Sequence, residues 1–293
     1  MKRFYSFCSA YAVFNPFPMS EKLLCSFAAY LAEQNMSHQT IKTYLSAVRD
    51  AHISFGFPDF RSADNLPRLE RIQAGIRRVQ AQKGLKKRVR LPITPQILDG
   101  LRRHWAANQE GRLLWAVASL CFFGFFRLGE LLATVPDSPS SLVWDDISFD
   151  HAHYPAIVKI HLRFAKCDQF GKGADVYIGR SGNSICPIAA CLEFVTSRVR
   201  EPGYFFLDSK KNPLLKPRFA TELRKALDAI GQCQHDYAGH SFRIGAATAA
   251  AAAGLEDSTI QLLGRWSSAA FLTYIRTPGR QLAAATASIS KLG

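Results

Sequence analysis

The sequence Gly239-His-Ser-Phe-Arg-Ile-Gly-Ala-Ala247 is followed, a short way along the chain, by Leu263-Gly-Arg-Trp-Ser-Ser-Ala-Ala-Phe-Leu-Thr-Tyr274. His240 and Arg243 are three residues apart, so on a helix their side chains are neighbours. An imidazole and a guanidinium on one face can bind the same phosphate. If a later helix brings Tyr274 to that place, its hydroxyl can attack the phosphate and hold it covalently. The pattern predicts a site for cleaving a phosphodiester strand.

Charge and length point to a large, nucleic-acid-binding chain. Its 293 residues suffice for one large domain or two ordinary ones. The formal net charge of +14 favours a polyanionic partner such as nucleic acid. Residues 1–90 carry 15 Lys and Arg against 6 Asp and Glu, so the first third is the most basic part. A merely solvated basic surface is the alternative.

The seven cysteines are scattered and include no C-x-x-C pair, which is typical of reduced thiols inside a cell. They form no metal-ligand cluster, so the sequence predicts no zinc site, and we expect neither a metal nor a cofactor for the metal-free reaction that the resemblance named below implies. The uncharged run Leu113 to Phe126 is too short to cross a bilayer and predicts a buried helix. We therefore expect an intracellular protein without a membrane partner, nuclear if its host is eukaryotic.

Three helices with cationic outer faces are predicted in the first ninety residues. Two begin after the capping residues Ser20 and Ser37, and the third spans Pro67 to Gln82. Lys86-Lys87-Arg88 then opens a basic segment, 86–92, that we interpret as a linker; a nuclear import signal is the alternative. Ordinary solvated charges are an alternative to DNA contact. The candidate DNA-binding residues are Lys42, Tyr44, Arg49, Arg77, Arg78, Lys86, Lys87 and Arg88.

The rest of the chain predicts a mainly α fold with a small antiparallel β-sheet. Thr94-Pro95 has the form of a helix start, and a long apolar helix should end at Arg127. The hydrophobic period then changes to two, and helical patterns return from Pro187 onward. The predicted strands are Leu142 to Phe149, Ile157 to Phe164 and Ala174 to Ile178, with a hairpin tip at Lys166 to Gly173.

The ordered polar residues resemble those of the tyrosine recombinase, or phage-integrase, family. The resemblance spans nearly the whole chain. The residues in its motifs are most similar to those of recombinases of eukaryotic mobile elements of the DIRS or Crypton type. It implies a two-domain DNA clamp: a helical core-binding domain at 1–85, the linker at 86–92 and a catalytic domain at 93–293. The matching positions are Arg127 with Glu130, the hairpin Lys166, His240, Arg243, Trp266 and Tyr274.

The resemblance also implies a role for each group. Tyr274 would be the nucleophile, and Arg127 and Arg243 would stabilise the charge that develops on the phosphate. His240 would move the proton of the tyrosine and Lys166 would protonate the departing 5′-hydroxyl. In addition, Trp266 would donate to the phosphate and Glu130 would support Arg127. The product would be a 3′-phosphotyrosyl link on duplex DNA, made by a homotetramer on two paired sites that is a monomer or dimer without DNA.

One interval departs from the family. Counted forward from Arg243, Trp266 falls at the family's His or Trp position, whereas counted back from Tyr274, Arg265 does. We expect Trp266 to fill it. Two other functions stay open: a type IB topoisomerase, which nicks and reseals one strand, and a non-cleaving DNA-binding protein derived from a transposon recombinase.

Overall fold

The computed structural model describes residues 1–60, 66–83, 89–106, 108–136, 138, 141–163, 173–197, 202–277 and 283. The chain divides into two compact units, Met1–Arg88 and Val89–Gly293. Of the predicted linker only residues 89–92 are described. The backbone N–H of Leu91 donates to the carbonyl of Asp236 at 2.9 Å, and the Arg90 side chain donates to the carbonyl of His235. This half of the predicted linker is therefore part of the second unit.

The first unit is helical in its described part. Ser20 and Ser37 accept from the backbone N–H groups of Leu23 and Thr40 and so begin their helices as predicted. The first helix was not predicted, because it lacks a capping side chain and its aromatic residues have modest helix propensity. The helices are α1 Lys2–Ala10, α2 Glu21–Glu33, α3 His38–Ser54 and α4 Pro67–Gln82.

Aromatic side chains form the core of the first unit. The rings of Phe4 and Phe7 lie 5.1 and 5.2 Å from that of Phe27, and all three side chains are buried. His52 is buried as well: its Nδ1 accepts from the backbone N–H of Met19 at 3.1 Å, so its Nε2 carries the proton that is donated to a carbonyl. This core positions the outer faces of α3 and α4.

The second unit surrounds one apolar helix with further helices and a three-stranded sheet. The sheet has the order β1-β2-β3 and is antiparallel throughout, with Ile160 paired to Ile147 and to Val176. The predicted fold class is thereby confirmed. The elements are α5 Pro95–Trp105, α6 Gln109–Phe123, α7 Leu128–Leu131, β1 Ile147–Phe149, β2 Ile157–Leu162, β3 Ala174–Gly179, α8 Pro187–Thr196, α9 Lys216–Ala229, α10 His240–Ala252 and α11 Asp257–Leu263.

Two predicted boundaries were wrong. The first strand was expected from Leu142, but Trp144–Asp146 is a 3₁₀ turn, because the Asp146 carboxylate accepts from the Val143 backbone N–H at 2.9 Å. Helix α6 ends at Phe123, not at Arg127. Phe125 then adopts φ +51°, so the helix does not continue to Arg127. The central helix thus delivers Arg127 through a tight turn.

Membrane insertion by a helix has no support in the described part of the chain, where every helix is too short or too polar to span a bilayer.

Helix α10 packs closely on the strand-like segment before α5. The Ile93 backbone N–H donates to the carbonyl of Ser241 at 3.0 Å, and a Cβ added to Gly245 would lie 1.9 Å from the Ile93 carbonyl oxygen. We expect Gly245→Ala to lower the free energy of unfolding by about 1–3 kcal/mol, because backbone must shift to make room. Urea denaturation followed by tryptophan fluorescence reports on this unit.

A matched substitution in the same unit is the control. A Cβ added to Gly100, also helical, would meet only the flexible end of Ile230 at 3.2 Å. Gly100→Ala should change the free energy of unfolding by less than about 1 kcal/mol. Equal destabilisation by both substitutions would contradict the close packing of α10.

Candidate active site

Arg127 is held by the carboxylate that the sequence spacing predicts. Its Nη1 donates to Glu130 Oε1 at 2.8 Å, and its backbone N–H donates to Oε2 at 2.9 Å. The Glu130 side chain is buried at 5% exposure, whereas that of Arg127 is 26% exposed. A buried carboxylate must be paired. Arg265 Nη2, at 3.0 Å from Oε2, provides a second cation.

His240 and Arg243 start helix α10 and differ sharply in burial. His240 is exposed, while Arg243 is completely buried and donates through Nη1 to the carbonyl of Phe125 at 2.5 Å and through Nη2 to that of Gly264. Burial, reinforced by the charge of Arg127, lowers the pKa of Arg243 to about 10. The guanidinium is therefore still a cation at neutral pH.

Tyr274 lies close to both His240 and Arg243. Its ring centre is 4.9 Å from that of His240 and 5.0 Å from that of Trp266, and the Arg243 guanidinium carbon lies 5.8 Å from it. The Tyr274 carbonyl accepts from Thr248 Oγ1 on α10 at 3.3 Å. The structure thus brings together His240, Arg243, Trp266 and Tyr274.

Tyr274 is positioned by a short helix of the 3₁₀ type. The sequence predicted a later helix that brings Tyr274 to the site, and this helix is the 3₁₀ helix Ala269–Thr273, which begins after the capping Ser268 and ends just before Tyr274. A 3₁₀ helix rises about 2.0 Å per residue, against about 1.5 Å in an α-helix. Five such residues span as far as six or seven α-helical ones.

Trp266 and Arg265 point to different partners. Trp266 is buried, and the Arg243 guanidinium carbon lies 4.2 Å from the centre of its ring. Arg265 turns instead to Glu130 and to the carbonyl of Gly124 at 3.0 Å. The residue in contact with Tyr274 is accordingly the tryptophan.

Two buried donors in this cluster are unsatisfied. Among the residues that the structure describes, neither Arg243 Nε nor Trp266 Nε1 has a hydrogen-bond partner. Buried donors without partners are rare and indicate strain or a missing ligand.

Four predicted site residues, Lys166 of the hairpin and Lys86, Lys87 and Arg88 of the linker, lie outside the described residues. Their predicted roles therefore stay predictions.

Lys42, Arg77 and Arg78 line one cleft of the first unit, between α3 and α4, with a volume of about 780 Å³. His38, which sequence reasoning missed, lies there too. Burial, with the charges of Lys42 and Arg77, lowers the pKa of His38. Its place one turn before Lys42 on α3 was the available signal. The cleft is a cationic surface in the first unit.

The other two candidates of the first unit have different surroundings. Arg49 is paired with Asp59, with Nε to Oδ1 at 2.7 Å, and this bond raises the pKa of Arg49. Tyr44 is half-buried and packs edge-on against Phe27, with ring centres 6.4 Å apart. Neither lines the cleft described above.

Comparison with known proteins supports the resemblance. No protein-family model matches the chain. The chain is 25% identical over 251 residues to an integrase/recombinase XerD homologue of Selenomonas ruminantium. The aligned region covers 83% of this chain and 69% of that protein.

Solved structures share the fold at low sequence identity. The Tn1549 transposon integrase, solved with circular intermediate DNA, has a TM-score of 0.64 and 14% identity over 100% of this chain and 92% of that one. XerH site-specific recombinase, bound to a palindromic difH substrate, has a TM-score of 0.63 and 12% identity over 99% and 76%. The chain is therefore similar in sequence to an integrase/recombinase and shares its fold with a transposon integrase and a site-specific recombinase.

Proposed function

We propose that the chain is a site-specific recombinase or integrase that cuts and rejoins DNA strands through a covalent 3′-phosphotyrosyl intermediate. Tyr274 Oη attacks the phosphorus while the bond from phosphorus to the 5′ oxygen breaks. His240 accepts the proton of the phenol, and Lys166 gives a proton to the departing 5′-hydroxyl. A different 5′-hydroxyl then attacks the phosphotyrosine and restores the strand, so no external energy source is needed.

The observation that carries the proposal is the convergence on the Tyr274 ring. Helix α10 contributes His240 and Arg243, and the segment after α11 contributes Trp266, all in contact with one tyrosine. Preorganised donors that are aimed at developing charge are among the largest contributions to catalysis. The unsatisfied donors Arg243 Nε and Trp266 Nε1 supply such groups in this cluster.

Duplex DNA is the proposed partner. The cleft lined by Lys42, Arg77 and Arg78 offers cations for phosphates, and most protein–DNA bonds of this kind position the duplex without reading its sequence. The Tn1549 integrase and XerH were both solved with DNA. We propose a homotetramer on two paired sites, in which each subunit cuts one strand.

The assignment to a subgroup of recombinases rests on two sequence motifs. Ile244-Gly-Ala-Ala-Thr248 and Tyr274-Ile-Arg-Thr-Pro278 are most similar to DIRS-type or Crypton-type recombinases of eukaryotic mobile elements. In a eukaryotic host such an enzyme acts in the nucleus. A transposon origin agrees with the likeness to the Tn1549 integrase, although that protein shares only the fold.

A nicked suicide substrate tests the function directly. When the short fragment that bears the free 5′-hydroxyl diffuses away after cleavage, the strand cannot be resealed. The enzyme should then remain joined to the DNA as an adduct that survives SDS. A library of sites should be presented, because the target sequence is unknown. If the wild-type chain binds DNA but forms no adduct on any site, it is a non-cleaving DNA-binding protein. Relaxation of supercoiled plasmid by a monomer, without a second site, would instead favour the topoisomerase alternative.

A further inference from the structure

Arg265 has a backbone conformation that side chains rarely adopt. Its φ is +54°, in the left-handed region that favours glycine. The turn is fixed on both sides, because the backbone N–H of Arg265 donates to the Leu262 carbonyl at 2.9 Å and that of Trp266 to the Gln261 carbonyl at 3.0 Å. Glycine would suit this position better than arginine. Non-glycine residues held in such conformations cluster at active sites and switch regions.

The Arg265 side chain faces the turn that precedes Arg127. It donates to the carbonyls of Gly124 at 3.0 Å and Phe125 at 3.5 Å, and its guanidinium lies over the ring of Phe126 at 5.0 Å. The Phe125 carbonyl also accepts from Arg243. Two arginines from later segments therefore hold the turn that aims Arg127.

Arg265 also shares the carboxylate of Glu130 with Arg127. The Arg265 side chain donates to Oε2, while the Arg127 side chain donates to Oε1. A guanidinium and a carboxylate prefer a forked pair of two parallel bonds. Oε2 also accepts from the Arg127 backbone N–H, so removing Arg265 would free one of its two acceptor positions. The Arg127 guanidinium could then close onto both oxygens of Glu130 and turn away from a phosphate.

We propose that Arg265 is a positioning residue for Arg127: by occupying Glu130 Oε2 and the carbonyls of the 124–125 turn, it keeps the Arg127 guanidinium directed at the scissile phosphate. The inference rests on the proposed strand-cleavage function and assigns Arg265 no contact with DNA. Its action passes through Glu130, and the effect of removing it must depend on that carboxylate.

Arg265→Gly is the test, because glycine fits φ +54° and the backbone is not endangered. On a suicide substrate at saturating DNA we expect the single-turnover cleavage rate to fall about 10–100-fold, as for a small misplacement of a catalytic group. The dissociation constant for DNA should change by less than about twofold, since no phosphate contact is lost. Arg103→Ala is the control for the loss of one charge, because Arg103 is exposed and pairs with Asp99.

A double-mutant cycle separates positioning from direct contact. In a Glu130→Gln background, whose amide cannot hold two cations, Arg265→Gly should cost less than half of its effect in the wild type on a logarithmic scale. Arg265→Lys should restore part of the rate. Additive losses, or a wild-type rate for Arg265→Gly, would overturn the positioning role alone. If the wild-type chain itself forms no adduct, the proposed function and this inference both fail.

Discussion

Tyr274→Phe should abolish the covalent protein–DNA adduct while leaving DNA binding intact. The substitution removes only Oη, and the ring can remain packed between His240 and Trp266, at 4.9 and 5.0 Å. Loss of a nucleophile lowers the rate by at least about a thousandfold, because no neighbouring group can replace it. SDS gels of the suicide-substrate reaction measure the adduct, and fluorescence anisotropy with labelled duplex measures the binding.

Tyr237→Phe is the matched control in the same unit. Tyr237 is buried, and its hydroxyl donates to Gln232 Oε1 at 2.9 Å, so this variant also loses a tyrosine hydroxyl. It should form the adduct at a rate within about twofold of the wild type, because it lies outside the cluster around Tyr274. Adduct formation by Tyr274→Phe would mean that another residue is the nucleophile. Loss of the adduct in both variants would point to a folding defect instead.

Local chemistry explains which parts of the fold could be predicted. Ser20 and Ser37 cap their helices through bonds three residues away, and Pro67 begins α4, so these boundaries follow from short stretches of sequence. The first strand was assigned too long because the Asp146 carboxylate caps a 3₁₀ turn by accepting from the Val143 N–H; the same carboxylate pairs with Arg163, at 3.0 Å and seventeen residues away. Period-two hydrophobicity does not reveal such a pair.

In the candidate site, too, local features could be predicted from the sequence and long-range contacts could not. The pairing of Arg127 with Glu130 follows from their spacing, and the closeness of His240, Arg243 and Tyr274 was implied by the family resemblance. The link from Arg265 to Glu130 joins residues 135 positions apart and has no local pattern. The 3₁₀ type of the helix before Tyr274 was not predicted either, because apolar residues at its period resemble a short α-helix.

Arg243→Lys should lose cleavage activity by about 10²–10³-fold per folded molecule, the effect of removing one donor from a site that stabilises developing charge. Lysine keeps the charge but cannot reproduce the fork, because its single ammonium is a compact donor. In the structure the Arg243 guanidinium donates to the carbonyls of Phe125 and Gly264. Its carbon also lies 4.2 Å from the centre of the Trp266 ring. The rate is measured on the suicide substrate, with the folded fraction taken from denaturation curves.

The same substitution should also lower the free energy of unfolding by about 1–3 kcal/mol, since one buried carbonyl is left without a donor. A destabilised control is therefore required, and Gly245→Ala provides it from the same helix. It weakens packing against Ile93 without entering the cluster around Tyr274, and so it should retain cleavage per folded molecule. If Gly245→Ala loses cleavage as severely as Arg243→Lys, the loss reflects a loosened α10. If Arg243→Lys cleaves at the wild-type rate, the guanidinium of Arg243 is structural, and Arg127 must stabilise the phosphate without it.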